Sequence, residues 1–136
     1  MGMAPRSGLL RIGRDIAAPA DTVWGLLVDV DRWPQWGPSV RRAVLEGGAG
    51  ELALGVRGTV WTAVGVPMPF HITAFEAGRR WDWAVGGVAA TGHRVAVIPG
   101  GCRVVFEVPW WAAPYLTVCA VALDRIDRLA TGSQLQ

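Results

Sequence analysis

Residues 18–40, with the sequence APADTVWGLLVDVDRWPQWGPSV, predict a helix, a second short helix and then an abrupt end. Pro19 suits the first turn of a helix, and the apolar residues that follow recur at helical spacing. Trp33 and Trp36 lie three residues apart, so they share one face of the second helix. A Gly-Pro pair at 37–38 terminates that helix. We expect both helices to close over strands that the rest of the chain contributes.

Alternating segments separated by Gly and Pro fill most of the remaining chain and predict an antiparallel sheet. In the first strand, Leu9–Ile16, Leu10 and Ile12 share a face, and Arg14 is a charged exception on that face. A buried Arg14 would need an anionic partner from the protein or from a ligand. The later strands are predicted at 39–46, 58–64, 70–76, 80–85, 91–97 and 102–108.

The segment from Arg80 onward predicts that the inner face of the sheet is hydrophobic. Trp81 and Trp83 alternate with polar residues, and their large apolar area favours the inside. A hairpin loop at 86–90 would place Trp83 opposite His93, and directly opposed residues share a face. The inner face is therefore predicted to hold Trp81, Trp83, Val85, His93, Val95, Val97, Cys102, Val104, Phe106 and Val108.

The orientation of His71 depends on the turn at 77–78. A two-residue loop would place Ala74 opposite Trp81 and turn His71 outward. A longer loop would reverse this arrangement and put His71, Thr73 and Phe75 inside. The sequence leaves both arrangements open.

A helix over about 112–130 is predicted to complete the chain. Pro114 fits its first turn, and Gly132 ends it. Asp124 and Arg128 form an i,i+4 pair on its polar face. Its apolar stripe consists of Leu116, Cys119, Leu123, Ile126 and Ala130.

Two segments resemble a known family. The pattern P-A-x-x-V-W-x-L-L-x-D-V-x-R-W-P-x-W-x-P, over 19–38, resembles the opening of the START-like (SRPBCC) superfamily, which includes polyketide cyclases and dehydratases. The pattern W-x-V-x-G…G-H-x-V-x-V-x-P-G-G-x-R-V-x-F, over 83–106, is similar to the matching part of the cyclase/dehydratase group. The resemblance implies an α+β helix-grip fold: a curved antiparallel sheet of about six to seven strands around a long C-terminal helix, with two short helices after strand 1. It also implies a pocket for hydrophobic small molecules between the sheet and the C-terminal helix.

Length, composition and charge indicate which classes of protein the chain can belong to. The chain has 136 residues, a net charge of +2 and 51% hydrophobic residues, so we expect one globular domain over 1–136. No basic run is present, which argues against nucleic-acid binding. No targeting segment and no apolar run long enough to span a bilayer are seen, and we expect a cytoplasmic protein. Cys102 and Cys119 are predicted to be reduced and buried; no metal site and no cofactor are predicted.

Three functions remain open. The first is binding of a hydrophobic small molecule such as a lipid, a polyketide or an aromatic metabolite. The second is a polyketide cyclase/dehydratase-type enzyme that uses His93 as its acid or base, although a histidine bonded to a structural neighbour is the simpler interpretation. The third is a protein-interaction domain without a ligand, in which Trp110 and Trp111 form a partner or homodimer contact rather than a pocket gate or a packing hinge. The predicted ligand-binding residues are Trp61, Trp81, Trp83, His93, Val95, Val104, Phe106, Leu116, Cys119 and Leu123.

Overall fold

The protein is described here by a computed structural model of residues 8–132. A seven-stranded antiparallel sheet has the strand order β1-β7-β6-β5-β4-β3-β2. Residues 1–7, in which no signal peptide is predicted, lie outside the described residues. The strands are β1 (Leu9–Ile16), β2 (Val40–Leu45), β3 (Arg57–Thr62), β4 (Pro67–Glu76), β5 (Arg80–Val85), β6 (Val88–Ile98) and β7 (Gly101–Pro109). The helices are α1 (Ala20–Val28), a 3₁₀ turn (Val30–Arg32), α2 (Trp33–Trp36), a 3₁₀ segment (Trp110–Tyr115) and α3 (Leu116–Thr131).

The predicted α+β helix-grip-like fold is confirmed, with two short helices after the first strand and a long helix at the C-terminal end of the described chain. Helix α3 packs against β1 and β7 and also contacts α1 and α2. The apolar stripe of α3 is buried at Cys119, Leu123 and Ile126. Its α-helical bounds begin after the proline at 114, which lies inside the preceding 3₁₀ segment.

The two tryptophans of α2 fix the helices to each other. Trp33 Nε1 donates to the carbonyl oxygen of Leu27 at 2.9 Å, and Trp36 Nε1 donates to that of Leu26 at 2.8 Å. Both carbonyls belong to the last turn of α1, where the helix leaves acceptors without an intrahelical partner. The spacing of Trp33 and Trp36 therefore buries two large rings and also satisfies the end of the neighbouring helix.

The predicted loop at 86–90 is wrong. Gly86 and Gly87 form a two-residue turn, and both have positive φ angles, 60° and 81°, as a tight hairpin of the I′ kind requires. The turn is three residues shorter than predicted, and one extra residue of β6 opposite Trp83 offsets one of the three. Trp81 therefore pairs with His93, two residues away from the predicted register. A shift of two residues preserves the face of a strand, so His93 still points inward. Val97, predicted inside, is 80% exposed because it lies one pair from the next hairpin turn, at the margin of the covered face.

His71 lies on the outer face although the turn at 77–78 is longer than two residues, so the structure combines parts of both predicted arrangements. The turn is longer than two residues, because Glu76 pairs with Arg80 and Phe75 lies opposite Trp81. An extra residue in β4 between Ile72 and Ala74 then reverses the alternation. Ile72 and Phe70 are buried in the core as a result, and His71 lies on the outer face, half-buried.

Arg14 is exposed rather than buried, with 42% of its side chain accessible, and it still has anionic partners from the protein. Its Nε lies 2.6 Å from Asp127 Oδ2, and its Nη2 lies 3.6 Å from Asp124 Oδ1. Both carboxylates project from α3, so their ion pairs with Arg14 join the edge strand β1 to the long helix. The predicted pair of Asp124 with Arg128 is also present, at 3.1 Å.

Candidate functional site

A cavity of about 430 Å³ opens at one end of the sheet. It is bounded by the ends of β3, β5 and β7, by the first residues of β6 and by the 3₁₀ segment. Trp83 and Trp111 contribute aromatic walls, and valine and alanine side chains contribute most of the remainder. Its size lies within the range of sites that enclose small organic molecules. The polar residues along its wall are Ser39, Thr62, Thr91 and Tyr115.

The turn at Gly86 and Gly87 builds one side of this cavity. Because the turn uses only two residues, Val88 and the residues after it are strand rather than loop, and they extend the wall. The register shifts opposite Trp83, where two residues of β6, Ala90 and Thr91, face one residue of β5. This bulge brings Thr91 Oγ1 within 3.4 Å of Trp83 Nε1.

Ser39 and Tyr115 form the main polar pair of the cavity. The Ser39 hydroxyl and the Tyr115 hydroxyl are hydrogen-bonded to each other, joining the chain before β2 to the 3₁₀ segment. Burial raises the pKa of Tyr115, and the hydrogen bond from Ser39 opposes this only in part. Tyr115 is therefore a neutral phenol at neutral pH, able to donate or accept a hydrogen bond.

His93 lies deeper, in the aromatic core. Its ring stacks on Trp81 with centroids 3.9 Å apart and meets the edge of Phe106 at 4.8 Å. Nδ1 lies 3.1 Å from the carbonyl oxygen of Trp81. Because a carbonyl only accepts, this contact requires the proton on Nδ1 and leaves Nε2 as an acceptor. Burial lowers the pKa of His93 to about 3.

A gap of about 30 Å³ adjoins His93. That volume has room for about one or two water molecules and is far smaller than the sites that enclose organic molecules. The gap and the large cavity share five residues of their walls, namely Ser39, Val40, Trp83, Thr91 and Tyr115. The hydrogen-bonded pair Ser39–Tyr115 thus borders both the cavity and the gap beside the histidine.

The structure distributes the predicted ligand-binding residues over several places. Trp83 lines both the cavity and the gap, whereas Trp81, His93, Phe106 and Cys119 line only the gap. Trp61 lies on the outer side of β3, beneath the guanidinium of Arg42 at 4.7 Å. The remaining predicted residues, Val95, Val104, Leu116 and Leu123, belong to the core or pack against it and line neither space.

Trp83 is the one described wall residue that was predicted as a site residue, and the four polar wall residues, Ser39, Thr62, Thr91 and Tyr115, were missed. The sequence predicts Thr91 as the first residue of its strand, paired with Val85, because the predicted loop at 86–90 is longer than the turn at 86–87. Tyr115 is the chain's one tyrosine, directly after Pro114. An aromatic hydroxyl at the junction of a strand and a helix is a signal that the sequence offered.

The two cysteines are free and buried, as predicted. Burial raises the pKa of Cys119 to about 11, which keeps its thiol protonated and a poor nucleophile. Burial also raises the pKa of Cys102. Within residues 8–132, no group of three or more His, Cys, Asp or Glu side chains could hold a metal ion. None of the helices in that part of the chain is both long and apolar enough to cross a bilayer.

An antiparallel sheet, a long C-terminal helix and an apolar cavity where the sheet meets the 3₁₀ segment are features of a START-like fold. None of the described residues of the cavity wall belongs to α3, so this cavity does not lie between the sheet and that helix, where the pocket was predicted. Residues 10–126 match the family described as polyketide cyclase / dehydrase and lipid transport. The chain belongs to this family, and the resemblance seen in the sequence is confirmed. A search of curated proteins finds no match.

Solved structures share the fold. A crystal structure of protein NE0264 from Nitrosomonas europaea has a TM-score of 0.70 at 12% identity, covering 98% of this chain and 100% of that chain. The solution structure of the AHSA1-like protein from Aeromonas hydrophila has a TM-score of 0.68 at 19% identity, covering 94% and 95%. DynU16, a protein of the dynemicin biosynthetic locus, has a TM-score of 0.70 at 17% identity, covering 93% of this chain and 48% of that chain. At these identities the similarity establishes the fold alone.

Proposed function

We propose that the protein binds an uncharged, hydrophobic small molecule in the cavity of about 430 Å³ beside the 3₁₀ segment. The observation that carries this proposal is the composition of the wall. Among the described residues that line the cavity, none carries a charge. A charged ligand group would lose its hydration there without gaining an ion pair, which disfavours its binding.

The few polar groups suggest how a ligand is oriented. Tyr115 and Ser39 already satisfy each other, and each hydroxyl keeps further capacity to donate or accept. A ligand carbonyl or hydroxyl placed beside them would gain one or two hydrogen bonds, while its rings or chains contact Trp83 and Trp111. This chemistry suits a polyketide, another aromatic metabolite or a lipid with a small oxygen-bearing end. The family's description, which covers both polyketide cyclisation and lipid transport, supports the same range.

Binding is proposed ahead of catalysis because of the state of His93. A general base works best when its pKa lies near the working pH, and the pKa of His93 is about 3. His93 is also absent from the described wall of the cavity that would hold the ligand. The predicted catalytic role of His93 therefore remains a hypothesis that turnover measurements test. His93→Gln should abolish any turnover and preserve ligand binding if the role is real, and unchanged turnover would refute it.

The first test of binding is native mass spectrometry of the purified protein, which should reveal a co-purified molecule of defined mass. A panel of polyketides, aromatic metabolites and fatty acids should then be titrated by calorimetry. Ala90→Phe places a ring in the cavity and should abolish binding of the hits, because Ala90 lines the wall. Ala120→Phe, on the exposed side of α3, is the matched control and should bind normally. Equal affinities of the two folded variants would refute the proposed site.

A further inference from the structure

The mouth of the cavity carries an exposed apolar rim. Val64, Val88 and Trp111 line the cavity and yet remain largely exposed, with Val64 at 81%. Their chain neighbours Val66 and Trp110 are exposed as well. We call these five residues the rim. Large exposed apolar side chains that gather around one opening mark an interaction surface more often than singly scattered ones do.

Three separate segments build the rim. Val64 and Val66 lie in the turn between β3 and β4, Val88 follows the turn between β5 and β6, and the two tryptophans begin the 3₁₀ segment. Because the three segments are far apart in the sequence, the rim forms only in the folded protein. Tryptophan favours the boundary between water and lipid, because its indole combines an apolar body with one polar N–H.

The charges beside the rim are positive. Arg41 is exposed, and its Nη1 lies 3.1 Å from the point that a Cβ on Gly65 would occupy, which places it against the β3–β4 turn. Arg42 is also exposed and lies over Trp61, which pairs with Pro67 at the base of that turn. The described cavity wall holds no acidic residue to offset these charges. An apolar rim with basic neighbours is complementary to an anionic lipid surface.

We propose that the rim docks on the surface of an anionic lipid bilayer, with the mouth of the cavity facing the membrane. Valine and tryptophan side chains would enter the interface, and Arg41 and Arg42 would lie at the level of the lipid phosphates. A hydrophobic molecule could then pass between bilayer and cavity without crossing water. The inference goes beyond ligand binding, because docking can be measured whether or not the cavity is filled.

The test is co-sedimentation with vesicles of phosphatidylcholine and phosphatidylglycerol, compared with phosphatidylcholine alone. The full chain should partition into the mixed vesicles, and more weakly into the zwitterionic ones. Val64→Asp should lower partitioning at least tenfold, because burial of a valine is worth about 1.5 kcal/mol or more and 1.4 kcal/mol corresponds to about tenfold. Trp110→Ala, which leaves the cavity wall intact, should also weaken it. Arg41→Glu should weaken binding to the mixed vesicles.

Val97→Asp is the matched control. Val97 is 80% exposed, nearly the same as Val64, but it lies at the opposite end of β6 from Val88. Its variant should sediment with vesicles as the unsubstituted protein does. The proposal is overturned if the unsubstituted protein does not sediment with mixed vesicles, or if Val97→Asp and Val64→Asp lose binding equally. It is also overturned if the rim proves to be a dimer contact, so that Val64→Asp yields monomers from a dimer that never binds lipid.

Discussion

The imidazole of His93 stacks on the indole of Trp81 with ring centroids 3.9 Å apart, and its Nδ1 donates to the carbonyl oxygen of the same residue at 3.1 Å. Trp33 also stacks on Trp81, with an interplanar angle of 7° and ring centroids 5.2 Å apart. The histidine therefore lies in a water-poor aromatic cluster. Burial disfavours its charged form and lowers its pKa to about 3, although the backbone hydrogen bond opposes the shift.

This buried histidine should make the protein sensitive to acid. The unfolded chain binds a proton at His93 near the ordinary pKa of about 6.5, whereas the folded protein does so only near 3. Acid therefore favours unfolding between these two values. From His93 alone, the free energy of unfolding should be about 2 kcal/mol lower at pH 5 than at pH 7. Urea unfolding of the unsubstituted protein and of His93→Gln at both values measures this contribution. An identical pH dependence in the two proteins would contradict it.

Tyr115→Phe tests the polar pair of the cavity. The variant retains the ring but removes the hydroxyl that bonds to Ser39. We expect a ligand with an oxygen-bearing group to lose about 1 kcal/mol of binding free energy, or about fivefold in affinity, because one neutral hydrogen bond contributes about that much. A ligand without oxygen should bind unchanged, and calorimetry with a matched ligand pair measures the difference. Equal losses for both ligands would show that Tyr115 acts by shape alone.

Trp33→Ala should be among the most destabilising substitutions. The side chain is 1% exposed, contacts Phe70, Trp81 and Trp83, and donates to the end of α1. Removing a buried tryptophan leaves a large cavity, and the expected loss in the free energy of unfolding is about 3–5 kcal/mol. Chemical denaturation measures the loss.

Trp110→Ala is the control for Trp33→Ala, because Trp110 is 64% exposed. Its effect on the free energy of unfolding should stay within about 0.5 kcal/mol, as is usual for surface substitutions. Similar losses for the two variants would mean that the α2 tryptophan does not hold the helices to the sheet.

A buried carboxylate on the outer face of the sheet provides a further prediction. Glu107 is 3% exposed and lies between Arg11, at 2.7 Å, and Arg94, at 3.1 Å. Substituting both arginines with alanine leaves this carboxylate buried without a partner, at an expected cost of about 3 kcal/mol or more. Glu107→Gln should cost less, about 1–2 kcal/mol, because the two arginines are partly exposed and can be hydrated. Denaturation of both variants at neutral pH gives the comparison, and the reverse order would contradict this account.

The sequence was sufficient wherever one periodicity governs a whole element. The alternation in β7 identified its four buried apolar residues, and the helical stripe of α3 identified Cys119, Leu123 and Ile126, since each pattern extends over its element without interruption. The buried Glu107 and Ala122 lie outside these patterns and were not identified. The sequence was insufficient at turns and bulges, where one residue more or less changes the register of the following strand and the face to which its side chains point. The turn at Gly86 and Gly87 was predicted too long, and the bulge near Thr73 was missed, so the start of β6 and the orientation of His71 were not obtained.

By itself the sequence determined on which face of the sheet His93, Trp81 and Trp83 lie, because an even shift of register leaves the alternation intact. Only the tertiary structure decided which of them fills the core and which borders open space. That outcome depends on Trp33, which belongs to α2 and stacks on Trp81, and on Tyr115, which borders both the cavity and the gap beside His93. Side chains from distant segments divide the volume between sheet and helix, and a periodic pattern within one strand contains no information about that volume.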